Sequence, residues 1–302
     1  MKVQSSLLLC SVISLLVAQS LPAADAKTVI KTGGNFEVAA TKDIAYVEGK
    51  DADPEKHKLD LYVPKGKRDF PVLFFVHGGA WKNGDRKLYY KLGEVFAKNG
   101  VGTVIISYRL TPKVQHPGHI QDVAKAFAWT QHNIAKYGGR PDQIFICGHS
   151  AGGHLVALLA TNESYLQAEK LSLANIKGVI PMSGVFQITP IDRLAPVFGK
   201  DEKVCGEASP INYVNSKHPP FLLIYADKDY PKFDQYAETM CAALKKSNNA
   251  AETLQVKDRT HITIMVQMSR EDDPATQAVL GFIARHSDLK LVDKQVEGES
   301  RP

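Results

Sequence analysis

Residues 148–152 read Gly-His-Ser-Ala-Gly, a G-x-S-x-G pattern with a hydroxyl at its centre. The apolar run 143–147 leads into it as a buried strand, and Ala151–Thr161 leads out as a helix. A strand-to-helix bend this sharp forces its central residue into a strained backbone conformation. Gly148 and Gly152 take away side chains that would collide across the bend. Gly153 is expected to keep the helix close to the sheet. The Ser150 hydroxyl would then stand above the strand ends, near the positive end of the helix dipole.

A serine hydroxyl is a poor nucleophile until a base removes its proton, and that base is typically a histidine held by a carboxylate. On a bend of this kind the partners follow in the order serine, acid, histidine. Past the apolar run 221–225 only His261 and His286 remain. His261 follows the run 252–257 in a short polar loop and is the expected base. His286 ends a C-terminal helix among charged residues and reads as structural. The acid is expected after 221–225, where Ala226-Asp227-Lys228-Asp229 offers two carboxylates. Asp229 is preferred, because a carboxylate two residues further from the strand end can reach back across the loop. Asp227 is the alternative, read as a turn cap.

A serine attacking a carbonyl also needs donors for the oxyanion that forms. One is the backbone N–H of Ala151, directly after the nucleophile. The second is expected from His77-Gly78-Gly79-Ala80-Trp81, after the apolar run 71–76. Two glycines let that loop turn its N–H groups toward a substrate, Gly79 being the first choice and Gly78 the second. Removing one such donor typically costs ~3 kcal/mol of transition-state stabilisation. Trp81 reads as packing. No Cys/His spacing resembles a zinc site, and no metal or organic cofactor is implied. His116 and His119 flank the turn Pro117-Gly118 and read as surface loop residues.

The elements that must position these groups alternate along the chain. Apolar runs at 71–76, 101–107, 143–147, 176–181 and 221–225, bounded by Gly and Pro, suit parallel strands buried on both faces. Runs at 44–48 and 58–63 alternate more and read as antiparallel edge strands. Helices are expected over 86–99, 119–137 and 231–247. In the second of these Ile120, Val123, Phe127, Ile134 and Tyr137 recur on one face. The β-α-β-α order predicts an α/β fold, an open and mostly parallel sheet with helices on both faces. Ligands in such sheets bind beyond the carboxyl ends of the strands.

The 302 residues are 44% hydrophobic and 23% charged, a balance that excludes collagen, coiled coil and disordered chains. The formal net charge is +5, but no Lys/Arg block is dense enough for a nucleic-acid surface. Residues 1–26 read as a signal peptide: Lys2, an apolar run at 7–17, and Ala24-Asp25-Ala26 with cleavage after Ala26. The expected location is therefore secreted or periplasmic. No later run is long enough for stable membrane insertion. The catalytic domain is expected over 27–287, with 185–215 either a small lid or an irregular loop, and 288–302 a charged tail. Past the leader stand Cys147, Cys205 and Cys241, so at least one thiol is free. Cys147 is expected in the core, and a Cys205–Cys241 disulfide is open to an exported chain.

HGGAW at 77–81, SYRL at 107–110, GHSAGGHLVALLAT at 148–161 and LLIYADKD at 222–229 together resemble the α/β-hydrolase superfamily. The resemblance is to the esterase/lipase group with an HGG motif, in the branch of bacterial carboxylesterases and feruloyl-type esterases. The kynurenine formamidases stand nearby. It covers roughly residues 43–286. It implies an α/β-hydrolase fold with a small lid or none, a triad at Ser150, Asp229 and His261, and an oxyanion hole at Gly78, Gly79 and Ala151. The implied activity is hydrolysis of small to medium acyl esters through an acyl-enzyme, with plant or polysaccharide esters following by association. The same triad serves an arylformamidase or a peptidase, and a catalytically inactive binding module is the alternative of another class. The chain departs from the family pattern in two places. Tyr225-Ala226 stands where His-Gly is frequent, and Tyr230-Pro231 follows the acid at once. Acyl and alcohol preference and oligomeric state are not written in the sequence.

Overall fold

The computed structural model describes residues 31–32 and 35–292. The leader expected at 1–26 lies outside the described residues, as do residues 293–302 of the expected tail. The strands are β1 (Lys31–Thr32), β2 (Val38–Ala45), β3 (Lys58–Pro64), β4 (Phe70–Val76), β5 (Gly102–Ile106), β6 (Gly139–His149), β7 (Gly178–Met182), β8 (Phe221–Lys228), β9 (Ala251–Thr260) and β10 (Leu291–Val292). β1 pairs with β10. The other eight form one sheet in the order β2-β3-β5-β4-β6-β7-β8-β9. β2, β3 and β5 pair antiparallel at one edge, and from β5 to β9 every pairing is parallel.

Residues of β4, β5 and β7 are buried throughout, because helices cover both faces of the parallel part. Alternation along each strand divides the core into two layers. Phe74, Val76, Ile144 and Ile146 point to one side, where they meet Val123 and Phe127 of α2 (Gly118–Asn133) and Leu155 of α3 (Ala151–Thr161). Leu73, Phe75, Phe145 and Cys147 point to the other, against Phe96 of α1 (Tyr90–Lys98) and Phe282 of the C-terminal helix (Pro274–Arg285). The α/β-hydrolase fold expected from the sequence is the fold observed.

Several boundaries differ, each for a physical reason. The edge strand expected at 44–48 begins at Val38, with an irregularity between Thr41 and Ile44. Its first residues are exposed and carry no alternation, so only the partner β3 defines them. The helix expected over 119–137 ends at Asn133 and tightens into a 3₁₀ turn that Gly138, at φ 91°, terminates. His119 is a correction: the Pro117-Gly118 turn opens α2 and carries His119 into the interior, where its Nε2 lies 3.2 Å from Thr111 Oγ1. The disulfide is another, since Cys147, Cys205 and Cys241 are all free and buried. Segment 185–215 holds α4 (Ser164–Ala168)'s successors α5 (Ala195–Phe198) and α6 (Glu202–Glu207) and a 3₁₀ turn, with Phe186, Val197 and Phe198 buried.

The topology brings four chain segments to one edge of the sheet. β4 ends just before the His77-Gly78-Gly79 loop, β6 just before Ser150, β8 just before Asp229, and β9 just before His261.

Candidate active site

Ser150 occupies a bend with φ 55° and ψ −116°, a conformation that costs a non-glycine residue roughly 1–3 kcal/mol. Its neighbours make the bend achievable. A Cβ on Gly148 would lie 2.3 Å from the Gly152 carbonyl oxygen, and one on Gly152 would lie 2.0 Å from that of Val76. Any side chain at either position would force the bend open. The Ser150 N–H donates to Met182 O at 2.8 Å, which ties the bend to the end of β7. α3 starts at Ala151 and is buried along its whole length, so its dipole points at the serine from a poorly solvated core.

The three residues expected to work together meet. Ser150 Oγ lies 2.9 Å from His261 Nε2, and His261 Nδ1 lies 2.6 Å from Asp229 Oδ1. A carboxylate only accepts, so Nδ1 carries the proton and Nε2 is free to receive the one from Ser150. The His261 and Asp229 side chains are 5% and 3% exposed. Burial pushes the Asp229 carboxyl up, but hydrogen bonds from His261 and Ser183 outweigh it and hold the group below the usual carboxylate range. Asp227 is elsewhere, accepting from the Arg259 N–H at 3.0 Å and so fastening β9 to β8. His286, at the end of the C-terminal helix, packs on Phe282.

Four side chains without an assigned role in the sequence reading support this row. Ser183 Oγ donates to Asp229 Oδ2 at 2.5 Å, while the Ala226 and Tyr230 N–H groups donate to the same carboxylate at 3.2 and 2.8 Å. His149, the variable residue of G-x-S-x-G, donates from Nε2 to the His261 carbonyl at 2.8 Å. It is buried, and burial followed by the nearby His261 pushes it down to about 4, so it is neutral at pH 7. Tyr230 stacks on the His261 ring, with centroids 4.3 Å apart and planes 25° off, and Phe233 meets the same ring at 4.9 Å.

The loop 77–81, where an oxyanion donor is expected, has its own support. His77 is buried, stacked on Tyr108 at 4.4 Å, and its Nδ1 donates to Gly78 O at 2.7 Å. A trans peptide sends its N–H opposite to its C=O, so the Gly79 N–H faces away from His77. Gly79 adopts φ 115°, and its carbonyl accepts from Lys82 and Asn83. A Cβ on Gly78 would lie 3.2 Å from Ser150 Cβ, which brings this loop against the nucleophile. Trp81 packs on His154 and Phe198. Among the described residues no group of three His, Cys, Asp or Glu side chains is arranged for a metal ion.

Comparison with known proteins bears on the family and the fold. Esterase LipQ of Mycobacterium tuberculosis is 32% identical over 267 residues, which cover 81% of this chain and 62% of the relative. Isoprenylcysteine alpha-carbonyl methylesterase ICME of Arabidopsis thaliana is 25% identical over 244 residues, 71% of this chain and 56% of the relative. The chain thus spans less than two thirds of the length of these curated relatives. Among solved structures, a truncated carbohydrate esterase from gut microbiota superposes with a TM-score of 0.72 at 20% identity, covering 86% of this chain and 99% of that one. Esterase B from Lactobacillus rhamnosis gives 0.71 at 22% identity, covering 86% and 88%. At those identities the two structures speak for the fold. The BD-FAE family model matches residues 59–232, more than half of the sequence and every strand from β4 to β8. The chain belongs to the BD-FAE family, within the α/β-hydrolase superfamily.

Proposed function

We propose that the protein is a serine hydrolase of carboxylic esters and that Ser150, His261 and Asp229 carry the reaction. The observation that supports this most directly is the hydrogen-bonded row Ser150–His261–Asp229 at 2.9 and 2.6 Å. In this reading Ser150 Oγ attacks the ester carbonyl and its proton passes to His261 Nε2. Asp229 holds the tautomer and stabilises the imidazolium. The Gly79 and Ala151 N–H groups receive the oxyanion, with Gly78 shaping the loop beside them. The carbon–oxygen bond to the alcohol breaks as His261 returns the proton to the leaving oxygen. Water then attacks the acyl-enzyme with His261 again as base, releasing the acid and restoring the Ser150 hydroxyl.

The relatives' esterase activities support an ester as substrate. The carbohydrate esterase among the structural neighbours is in keeping with acyl groups on plant or polysaccharide material. The leader pattern at 1–26 supports work outside the cytoplasm. No metal or organic cofactor enters this chemistry. The test is hydrolysis of p-nitrophenyl acetate and butyrate by wild type and by Ser150→Ala. The expected result is turnover by wild type and none above background by the variant, and equal rates would end this mechanism. N-formylkynurenine in the same assay separates the amide reading: faster turnover of the formamide than of either ester would reassign the bond cleaved.

A further inference from the structure

Arg86 is only 2% exposed, although its guanidinium carries a full charge. A charge is buried this deeply only where partners surround it. Arg86 opens the 3₁₀ turn that leads into α1. Its Nε donates to Asp60 Oδ1 at 2.9 Å, and Asp60, on β3, is buried to the same extent. Its Nη2 pairs with Asp43 of β2, and its Nη1 reaches Glu55 O and Ser107 Oγ, both at 3.4 Å. Its backbone N–H donates to Ser107 Oγ at 3.0 Å, directly after β5. Asp43 reaches this point through the irregularity between Thr41 and Ile44. There it adopts φ 60° and gives its own N–H to Asp60 Oδ1 at 2.9 Å. The antiparallel edge of the sheet thus converges on one arginine.

The segment that Arg86 anchors lies against the loop at 77–79. Gly84, two residues earlier, adopts φ 112°, and a Cβ there would lie 2.3 Å from His77 Nδ1 and 2.5 Å from Gly78 O. Those are the two atoms of the hydrogen bond that orients the Gly78–Gly79 peptide. The chain at Gly84 therefore covers that bond. Between the two segments the loop closes on itself, since Lys82 and Asn83 donate their N–H groups to Gly79 O at 3.0 and 2.9 Å. A second cation holds the same segment from outside. Lys56, in the connection between β2 and β3, donates from Nζ to Gly84 O at 2.9 Å and to Asp85 Oδ2 at 3.0 Å. All hydrogen bonds of these two side chains go to residues outside the Ser150–His261–Asp229 row.

We propose that Arg86 and Lys56 are positioning residues for the oxyanion step. Together they press residues 84–86 against His77 and Gly78, so that the Gly79 N–H stays aimed where the charged oxygen forms. The proposal rests on the esterase reading and adds to it the device that keeps its oxyanion donor in place. Two successive glycines leave the peptide between them easy to rotate, so a loop built this way needs holding from outside. An oxyanion donor acts on the transition state more than on the bound ester, and a displacement of about 1 Å can cost about a hundredfold. Loosening the segment therefore lowers kcat and leaves KM nearly constant.

The experiment compares wild type with Arg86→Met, Lys56→Met, Lys56→Arg and Phe282→Leu on p-nitrophenyl butyrate, each well below its own melting temperature. Lys56 is partly exposed, so Lys56→Met decides the matter if Arg86→Met, which strands the Asp60 carboxylate, does not fold. Phe282→Leu, in the core layer under the C-terminal helix, is the control for lost stability alone. At near-constant KM, kcat should fall about ten- to hundredfold in Arg86→Met and about fivefold or more in Lys56→Met. Lys56→Arg keeps donors for both acceptors and should restore about half of the wild-type kcat or more, and Phe282→Leu should leave kcat unchanged. Affinity for a trifluoromethyl ketone, whose adduct with Ser150 carries a negative oxygen, should fall by the same factor as kcat/KM, while the pH midpoint of kcat/KM stays at its wild-type value. Hydrogen exchange over residues 77–84 reads the loop without turnover and should quicken in both methionine variants. Wild-type kcat in Lys56→Met, an equal loss in Phe282→Leu, or a lost kcat with unchanged ketone affinity overturns the proposal and leaves the esterase standing. Absence of Ser150-dependent hydrolysis in wild type removes the esterase reading instead, and exchange at 77–84 then decides by itself whether these cations hold the loop.

Discussion

Replacing Ser183 with alanine tests how the acid is held. Ser183 is buried, its N–H is pinned to Ile224 O at 2.8 Å, and its hydroxyl gives Asp229 Oδ2 a hydrogen bond of 2.5 Å. The other donor to Oδ2 is the Ala226 N–H at 3.2 Å, a longer contact. A hydrogen bond to a charged acceptor contributes about 1.5–3 kcal/mol. In the proposed mechanism Asp229 faces an imidazolium in the transition state, so the full charge must be held in place when it matters most. A loss of 1.5–3 kcal/mol corresponds to about 10- to 150-fold in kcat, with KM little changed, because Ser183 has no part in binding the ground state. Removing the charge itself by Asp229→Asn should cost about 10⁴-fold, the size of effect known when a triad carboxylate becomes an amide. The decisive assay is the double variant on p-nitrophenyl butyrate. With no carboxylate to support, Ser183→Ala should cost less than about threefold further in the Asp229→Asn background. Losses that multiply across the two sites, or a Ser183→Ala enzyme with wild-type kcat, would show that the hydroxyl does not act through Asp229. Thermal melting of the single variant checks that the β7 end still folds.

Three further outcomes are expected. His77→Leu removes the donor to Gly78 O, frees the Gly78–Gly79 peptide to rotate and should lower kcat by about tenfold or more at near-constant KM; an unchanged kcat would assign the oxyanion elsewhere. Tyr230→Leu removes the ring stacked on His261 and with it a cation–π contact to the imidazolium, so kcat should fall about two- to fivefold. Tyr230→Phe should restore it, and equal rates for Leu and Phe would reduce Tyr230 to packing. Acid should unfold the protein between pH 6 and 4. Burial, the leading cause in each case, pushes His77 and His149 down to about 4 and His154 to about 3, so the unfolded chain binds more protons in that window and stability falls with pH. Each contributes about 3 kcal/mol by pH 4, together comparable to the whole stability of a domain. A melting temperature flat from pH 7 to 4.5 would contradict this.

What the sequence revealed and what it hid divide along sequence distance. Ser150 was legible because its bend, its glycines and the helix that follows are adjacent residues. Asp229 was legible because the apolar run 221–225 marks a strand shortly before it, and His261 because past that run only it and His286 remain. The orientation of the Gly78–Gly79 peptide was not, because it is set by the ring of His77, which meets Gly78 O only when the loop folds back on it. Ser183 and His149 carry no local signal for the same reason at longer range: they bond to residues 46 and 112 positions away. Nothing in either local sequence announces a partner. His119 departs from expectation because a Pro-Gly pair, usual in surface turns, here opens a helix that carries it inward.

The departures around the acid explain themselves in the folded chain. Where His-Gly is frequent in the family, Tyr225 sends its hydroxyl to Glu238 at 2.8 Å, outside the Ser150–His261–Asp229 row. Ala226 contributes only its backbone N–H, and its φ is not positive, so glycine is not required there. Tyr230, directly after the acid, again supplies a backbone N–H to Asp229 and lays its ring on His261. The Asp229 loop therefore tolerates new side chains at 225 and 226, because the donor to Asp229 at 226 is a peptide group, which every non-proline residue carries. The same logic says where tolerance ends. Ser183, His149 and His77 hold Asp229, His261 and the Gly78 carbonyl through side-chain atoms. Substitutions there should damage the chemistry, whereas changes at 225 or 226 that keep the N–H should leave it largely intact.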